Sequence, residues 1–328
     1  MLVLAGCTPA APEPTPSESP VPTPTPSATA QGDPWSTLPL ACADLLSEAE
    51  AQALTGAPVT LKEDESFVNN LRAIALRQVG ALSCTWGGEG RTDNSYNQTI
   101  DVTILPDADA AFDEGVWQVD DGAIVYPDGS TTSEYLCQPL YGDVAYCTAN
   151  VLLNGYWMQA WVQADNQTEE SITTGMRSLV DTLTTRIGAA GAHRPAWVVP
   201  EGSLTGAYCD QPVYVGSAPY PAIAVGLVRS GALACTSPEG ADVTILPGGA
   251  WGVPLAQGTR PYYSVSEFAR FDIPGADYAL WGCGDGCAAL VSVGGSAVSI
   301  TTQYDLASTV EQLTPLVTTI VADVTAAG

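Results

Sequence analysis

Apolar positions along the chain follow two periods, and the same succession of periods occurs twice. Leu82, Cys84 and Trp86 alternate with Ser83 and Thr85, and Gly87-Gly88 closes the run. Ile100, Val102 and Ile104 alternate with Asp101 and Thr103, the pattern of a half-buried strand. Further strand-like runs at 144–153 and 156–164 meet at Asn154-Gly155, a strong hairpin turn. Thr168-Glu169-Glu170 then opens a helix striped by Ile172, Met176, Leu179, Val180, Leu183 and Ile187, with Gly188 as its stop. Ahead of these strands, the capping box Ser47-x-x-Glu50 and the stop Gly56 predict one short helix between Cys42 and Leu54. Asp107-Ala108-Asp109 predicts another, running through Phe112.

The second succession is a shortened copy of the first. Ala81-Leu82-Ser83-Cys84-Thr85 and Asp101-Val102-Thr103-Ile104-Leu105-Pro106 match Ala232-Leu233-Ala234-Cys235-Thr236 and Asp242-Val243-Thr244-Ile245-Leu246-Pro247. Trp117 follows Pro106, and Trp251 follows Pro247 at closer range. The closing helical stripe recurs as Leu313, Leu316, Val317, Ile320 and Val324. There Ser308-x-x-Glu311 offers a capping box, and Pro315 predicts a kink or a restart with Thr314 as cap. Cys209-Asp210-Gln211-Pro212, opposite the first helix, does not read as helical. Strands joined by tight turns pair antiparallel, and a striped helix needs an apolar sheet face to cover. The expectation is an α+β fold of two related domains, each an antiparallel sheet packed against helices. Domain one spans 35–188 and domain two 197–328, with 189–196 as linker.

Composition narrows the partners. The net charge is −26, Lys62 is the only lysine and His193 the only histidine. Phosphate backbones demand many cationic contacts, so nucleic acid is excluded as a partner, and no polybasic membrane patch exists. The acidity reads first as a solvated, self-repelling surface.

The first residues read as an address. Leu4-Ala5-Gly6-Cys7 resembles the bacterial lipobox, in which the cysteine is lipidated and becomes the new N-terminus. Residues 1–7 are a partial signal peptide: the charged start and longer apolar run of a complete one are missing, which points to a late start codon or a shortened N-terminus. Residues 8–34 are rich in Pro, Thr and Ser and cannot bury enough to fold. Extended at ~3.1 Å per residue, this tether reaches roughly 80 Å. The expected location is the outer face of the cytoplasmic membrane, with a palmitate-type anchor at Cys7 holding the folded part in the cell envelope.

Setting Cys7 aside leaves four cysteines in each domain. Even numbers outside a reducing compartment suggest disulfides, and a duplication asks for the same pairing twice. The expected bridges are Cys42–Cys84, Cys137–Cys147, Cys209–Cys235 and Cys283–Cys287. The rival reading of Cys283-x3-Cys287 as half a zinc site finds no second pair to complete it.

The chemistry templates fail on residue count. His193 lies in the linker, so no HExxH motif and no placed base for a Ser or Cys nucleophile can be built. Gly282-Cys283-Gly284-Asp285-Gly286 lacks the third glycine of a nucleotide loop, and no GxSxG occurs. Carboxylates are plentiful, yet no spacing singles out a glycosidase pair. Asp107-x-Asp109 and Asp113-Glu114 suit helix capping better than calcium, because the EF-hand spacing is absent. One contrast between the copies stands out. Trp157, Gln159 and Trp161 share a strand face whose counterparts in domain two are Ala297, Ser299 and Thr301. If that face is solvated, it is a binding patch; the competing reading has the tryptophans covered by a loop or by domain two.

The helix bearing Cys42, the Leu54-Thr55-Gly56 stop and the Cys84-Thr85-Trp86 strand together resemble actinobacterial lipoproteins with a Cys…Cys-x-Trp domain of unknown function. The resemblance covers domain one and departs in domain two, where Ser237 stands near the tryptophan position. It implies export, a lipid anchor and a PsbP-like sheet-and-helix fold, and transfers no catalytic residue. The resulting expectation is a non-catalytic envelope lipoprotein that binds or scaffolds, using neither metal nor cofactor. The partner is an envelope protein or a small ligand. The alternatives are a carboxylate-based envelope hydrolase and an extracytoplasmic small-ligand carrier.

Overall fold

A computed structural model describes residues 34–62, 71–88, 98–109, 124–128, 131–139, 144–204, 208–212, 221–259, 265–303 and 306–327. The lipobox with Cys7, residues 8–33 of the tether, Phe112, Asp113, Glu114 and Trp117 lie outside them.

The first half begins with α1 (Cys42–Leu45) and α2 (Glu48–Thr55), where one helix was expected. Ser47 sits between them in extended conformation and accepts from Glu50 N–H, while Glu50 reaches back to Ser47 N–H. That capping box starts α2 afresh, and Gly56 ends it with a left-handed φ of 74°. There follow β1 (Thr60–Leu61), α3 (Leu71–Gln78), β2 (Leu82–Gly87), β3 (Thr99–Pro106), β4 (Ile124–Asp128), β5 (Thr131–Pro139), β6 (Val144–Leu153), β7 (Tyr156–Asp165) and α4 (Glu169–Ala189). Asn154 and Gly155 both take positive φ, as the hairpin turn between β6 and β7 requires. The second half holds β8 (Gln211–Pro212), α5 (Pro221–Arg229), β9 (Leu233–Thr236), β10 (Asp242–Leu246), β11 (Ala269–Arg270), β12 (Tyr278–Cys283), β13 (Cys287–Val293), β14 (Ser296–Thr301) and α6 (Val310–Ala327). Cys209 lies outside any helix. Two short 3-10 turns, Gly249–Gly252 and Pro254–Ala256, follow β10. Ser308 uses Gln312 rather than Glu311 as its reciprocal partner, and α6 runs through Pro315 without a restart.

Both sheets are antiparallel and have the same strand order. The first reads β1-β2-β3-β7-β6-β5-β4 and the second, from its other edge, β8-β9-β10-β14-β13-β12-β11. The registers coincide as well. Thr85 faces Asp101, which faces Trp161; Thr236 faces Asp242, which faces Thr301. Cys137 faces Cys147, and Cys283 faces Cys287. All four expected disulfides form. The class is α+β.

Each sheet has one face under its long helix. Ile100, Val102, Ile104, Met158 and Val162 pack with Ile172, Met176 and Leu183 of α4. Val243, Ile245, Val298 and Ile300 pack with Leu313, Val317 and Ile320 of α6. The opposite faces meet through a shared third cluster, in which Leu76, Leu105 and Trp157 join Ile223, Leu246 and Leu290. Residues 33–328 are therefore one compact unit.

Helices α3 and α5 are the middle layer, and they cross reciprocally: α3 packs on β10 and β14, α5 on β3 and β7. Gln78 Nε2 donates to Pro247 O at 3.0 Å, and Arg229 Nη1 donates to Pro106 O. Gln78 and Arg229 each stand three residues before the repeated alanine, Ala81 or Ala232, and the two prolines are repeat partners. Such mutual bonds are what a twofold arrangement of related halves produces. The helices approach closely at Gly226, where a Cβ would stand 2.5 Å from Leu76 Cδ2. The linker residues are docked rather than loose. Trp35 Nε1 donates to Pro195 O, Arg194 N–H to Thr37 O, and the His193 ring lies 4.4 Å from that of Tyr156.

Candidate functional site

A cavity of about 230 Å³ opens on the α3-covered face of the first sheet. Side-chain alternation sets its floor: Ser83 and Thr85 from β2, Asp101 and Thr103 from β3, Gln159 and Trp161 from β7. Its walls are Arg72, Ala73 and Leu76 of α3, together with Ile223 of α5 from the other half. The floor is two cross-strand rows. Thr85, Asp101 and Trp161 form one, Ser83, Thr103 and Gln159 the other.

Within the first row, Thr85 Oγ1 donates to Asp101 Oδ1 at 2.6 Å. No second hydrogen bond reaches that carboxyl among the described residues. Burial raises the pKa of Asp101 above the usual carboxylate value, against the opposing effects of the Thr85 hydrogen bond and the Arg72 charge. Trp161 is half-buried and stacks on Tyr146, with ring centroids 4.7 Å apart. In the second row, the hydroxyls of Ser83 and Thr103 make no hydrogen bond among the described residues, although Thr103 is only 4% exposed.

The shared face of Trp157, Gln159 and Trp161 is thus divided, and a solvated patch of all three is corrected. Trp157 is fully buried in the cluster between the halves, its indole N–H donating to Asn150 Oδ1 at 3.0 Å. Gln159 is 2% exposed, and its Oε1 accepts the backbone N–H of Ala222 in the first turn of α5. A helix start leaves such donors without partners, so Gln159 caps a helix of the opposite half. Only Trp161 keeps part of its surface. The physical reason is the packing of α5 on β3 and β7.

Sequence reasoning missed Arg72, Asp101 and Ile223 because it missed α3 and α5. Both helices are short, eight and nine residues, so a helical period has only about two turns in which to show. The usable signal was Asp101 itself, an acid repeated as Asp242 within an apolar strand. In the second half, Thr236 and Asp242 are exposed and 3.4 Å apart. Asp109, one of the aspartates weighed as calcium ligands, is described, and among the described residues no cluster of three or more His, Cys, Asp or Glu side chains forms. Comparison with family models, with curated proteins and with solved structures finds no match.

Proposed function

We propose that the chain is a lipid-anchored module of the cell envelope, held by Cys7, which binds a small polar ligand in the cavity over Asp101. One observation carries the binding reading. Two halves with the same strand order and register differ where it matters: the Thr–Asp pair is roofed into a cavity in one and lies open in the other. The Leu4-Ala5-Gly6-Cys7 lipobox, the proline-rich tether and four disulfides support the address. The resemblance of residues 42–86 to Cys…Cys-x-Trp lipoproteins supports it too. A two-carboxylate hydrolase gains no support here, since Asp101 is the one carboxyl among the described residues lining the cavity. An apolar carrier gains no support either, because the described residues between the first sheet and α4 pack into one apolar core.

The test is native mass spectrometry of the full chain, purified from membranes in detergent, beside Ala73→Phe, which fills the cavity from its wall. A small molecule retained by the wild type and lost from the variant is expected. Equal retention by both, or none in either, would sink the binding reading. The anchor is tested separately, by incorporation of a palmitate analogue into the wild type and not into Cys7→Ser.

A further inference from the structure

We propose that the cavity over Asp101 takes a single neutral sugar ring or a polyol of that size, an assignment that rests on the binding reading above. Volume sets the size. About 230 Å³ lies below the ~300 Å³ at which pockets for drug-sized ligands begin, so one ring fits and a chain of rings does not.

Charge sets the class. Among the described residues the lining carries one cation, Arg72, and one carboxyl, Asp101. A cationic ligand is opposed by Arg72, and an anionic one by Asp101 and by a chain of net charge −26. A neutral ligand with many hydroxyls meets neither penalty, and each hydroxyl both donates and accepts.

The floor supplies matching partners. Among the described residues, one Asp101 oxygen has no donor and the Ser83 and Thr103 hydroxyls have no partner. Ser83 and Thr103 are register partners, and Asp101 and Thr103 lie two residues apart on one strand face. These relations place the three groups on a grid of about 5 by 7 Å, which one six-membered polyhydroxyl ring spans. Ser83 and Asp101 are partly buried and Thr103 is buried, so a ligand that replaces water on these groups with matching hydrogen bonds is favoured over one that cannot. The Trp161 indole, held in place by its stack on Tyr146, gives the apolar C–H edge of such a ring a surface to lie along.

The experiment titrates the full chain in detergent with glucose, galactose and N-acetylglucosamine, followed by tryptophan fluorescence and saturation-transfer NMR. Ethanolamine and inorganic phosphate serve as cationic and anionic probes. At least one neutral sugar is expected to give a saturable response, weakened tenfold or more by Thr103→Val and by Asp101→Asn. Thr236→Val, at the open counterpart in the second half, should leave it unchanged. Circular dichroism verifies that each variant is folded. No saturable response to any sugar overturns the assignment. So does a sugar response that Thr103→Val and Asp101→Asn leave intact. If ethanolamine or phosphate binds instead and is blocked by Ala73→Phe, the cavity still binds and only the ligand class is wrong.

Discussion

Trp157 decides between a surface patch and a shared core, and its truncation has a calculable cost. The ring is wholly excluded from solvent, faces Leu105 and Leu152 across the sheet, and belongs to the cluster joining the two halves. Truncating a buried Trp to Ala costs about 3–5 kcal/mol through lost transfer energy and an unfilled cavity. Trp157→Ala also leaves Asn150, itself 6% exposed, without the donor now 3.0 Å from its Oδ1, adding roughly 1–3 kcal/mol. A loss of at least about 4 kcal/mol is therefore expected. Trp161→Ala is the internal control. Its ring is half-buried, and its stack on Tyr146 is worth about 0.5–1.5 kcal/mol, so a loss of about 1–2 kcal/mol is expected. Guanidinium unfolding followed by far-ultraviolet circular dichroism measures both. Because the halves share a core, a single transition with an unchanged denaturant slope should accompany the lower midpoint. If the two variants fall within about 1 kcal/mol of each other, the packing of α5 over Trp157 is wrong.

Three further outcomes follow from particular groups. Arg186 binds Glu50 with both guanidinium nitrogens, at 2.6 and 3.0 Å, and with Ser47 lowers the Glu50 pKa from 4.5 to about 2. This stability is present above pH 4.5 and lost as pH falls toward 2. The pair is more than a third exposed, so Glu50→Gln should cost only ~0.5–1 kcal/mol at pH 7, the difference from wild type vanishing in acid melts. Cys42–Cys84 spans 42 positions and Cys283–Cys287 only 4, so replacing each pair with Ala should cost about 4 and about 2 kcal/mol, respectively, in denaturant midpoints converted to free energy. Equal losses would show that loop closure is not how these bridges act. Burial makes folded Asp101 hold its proton to higher pH than the unfolded chain, whose aspartates ionise near 3.8. Ionising it therefore costs stability as pH climbs from 3.8 through the folded value, and Asp101→Asn should become more stable than wild type over that window. Thermal midpoints at pH 3.5 and pH 7 test this, and no gain at pH 7 would refute it.

Elements that alternate polar with apolar residues were legible in the sequence. The strands β2, β3, β7, β9 and β10, the hairpin at Asn154-Gly155 and the helices α4 and α6 all carry a period because one face is wet or polar. The disulfides were legible because the duplication imposed one pairing rule on both halves. What stayed hidden was the contact between the halves. Leu71-Arg72-Ala73-Ile74-Ala75-Leu76 and Ala222-Ile223-Ala224-Val225-Gly226 belong to helices of eight and nine residues, too short for a helical period to stand out. Without α3 and α5 the sequence pattern shows no roof over Asp101, and Gln159 reads as a surface group rather than a helix cap. The capping box Ser47-x-x-Glu50 was right, but it begins a second helix because α1 has already ended.

The two halves also serve as controls for each other. Thr85–Asp101 and Thr236–Asp242 occupy the same register on the same strands, so the fold alone requires neither a roof nor a desolvated acid at that point. The second half tolerates its aspartate in the open. Divergence gathers around the other one. Arg72 stands where the repeat has Ile223, Gln159 where it has Ser299, and Trp161 where it has Thr301. Gln159 and Trp161 neighbour each other on β7 and Arg72 lies far from them in sequence, yet all three line one cavity. Substitutions that only repacked a core would favour apolar side chains of similar volume. Here the changes bring an arginine, an amide and an indole around a carboxyl that burial disfavours.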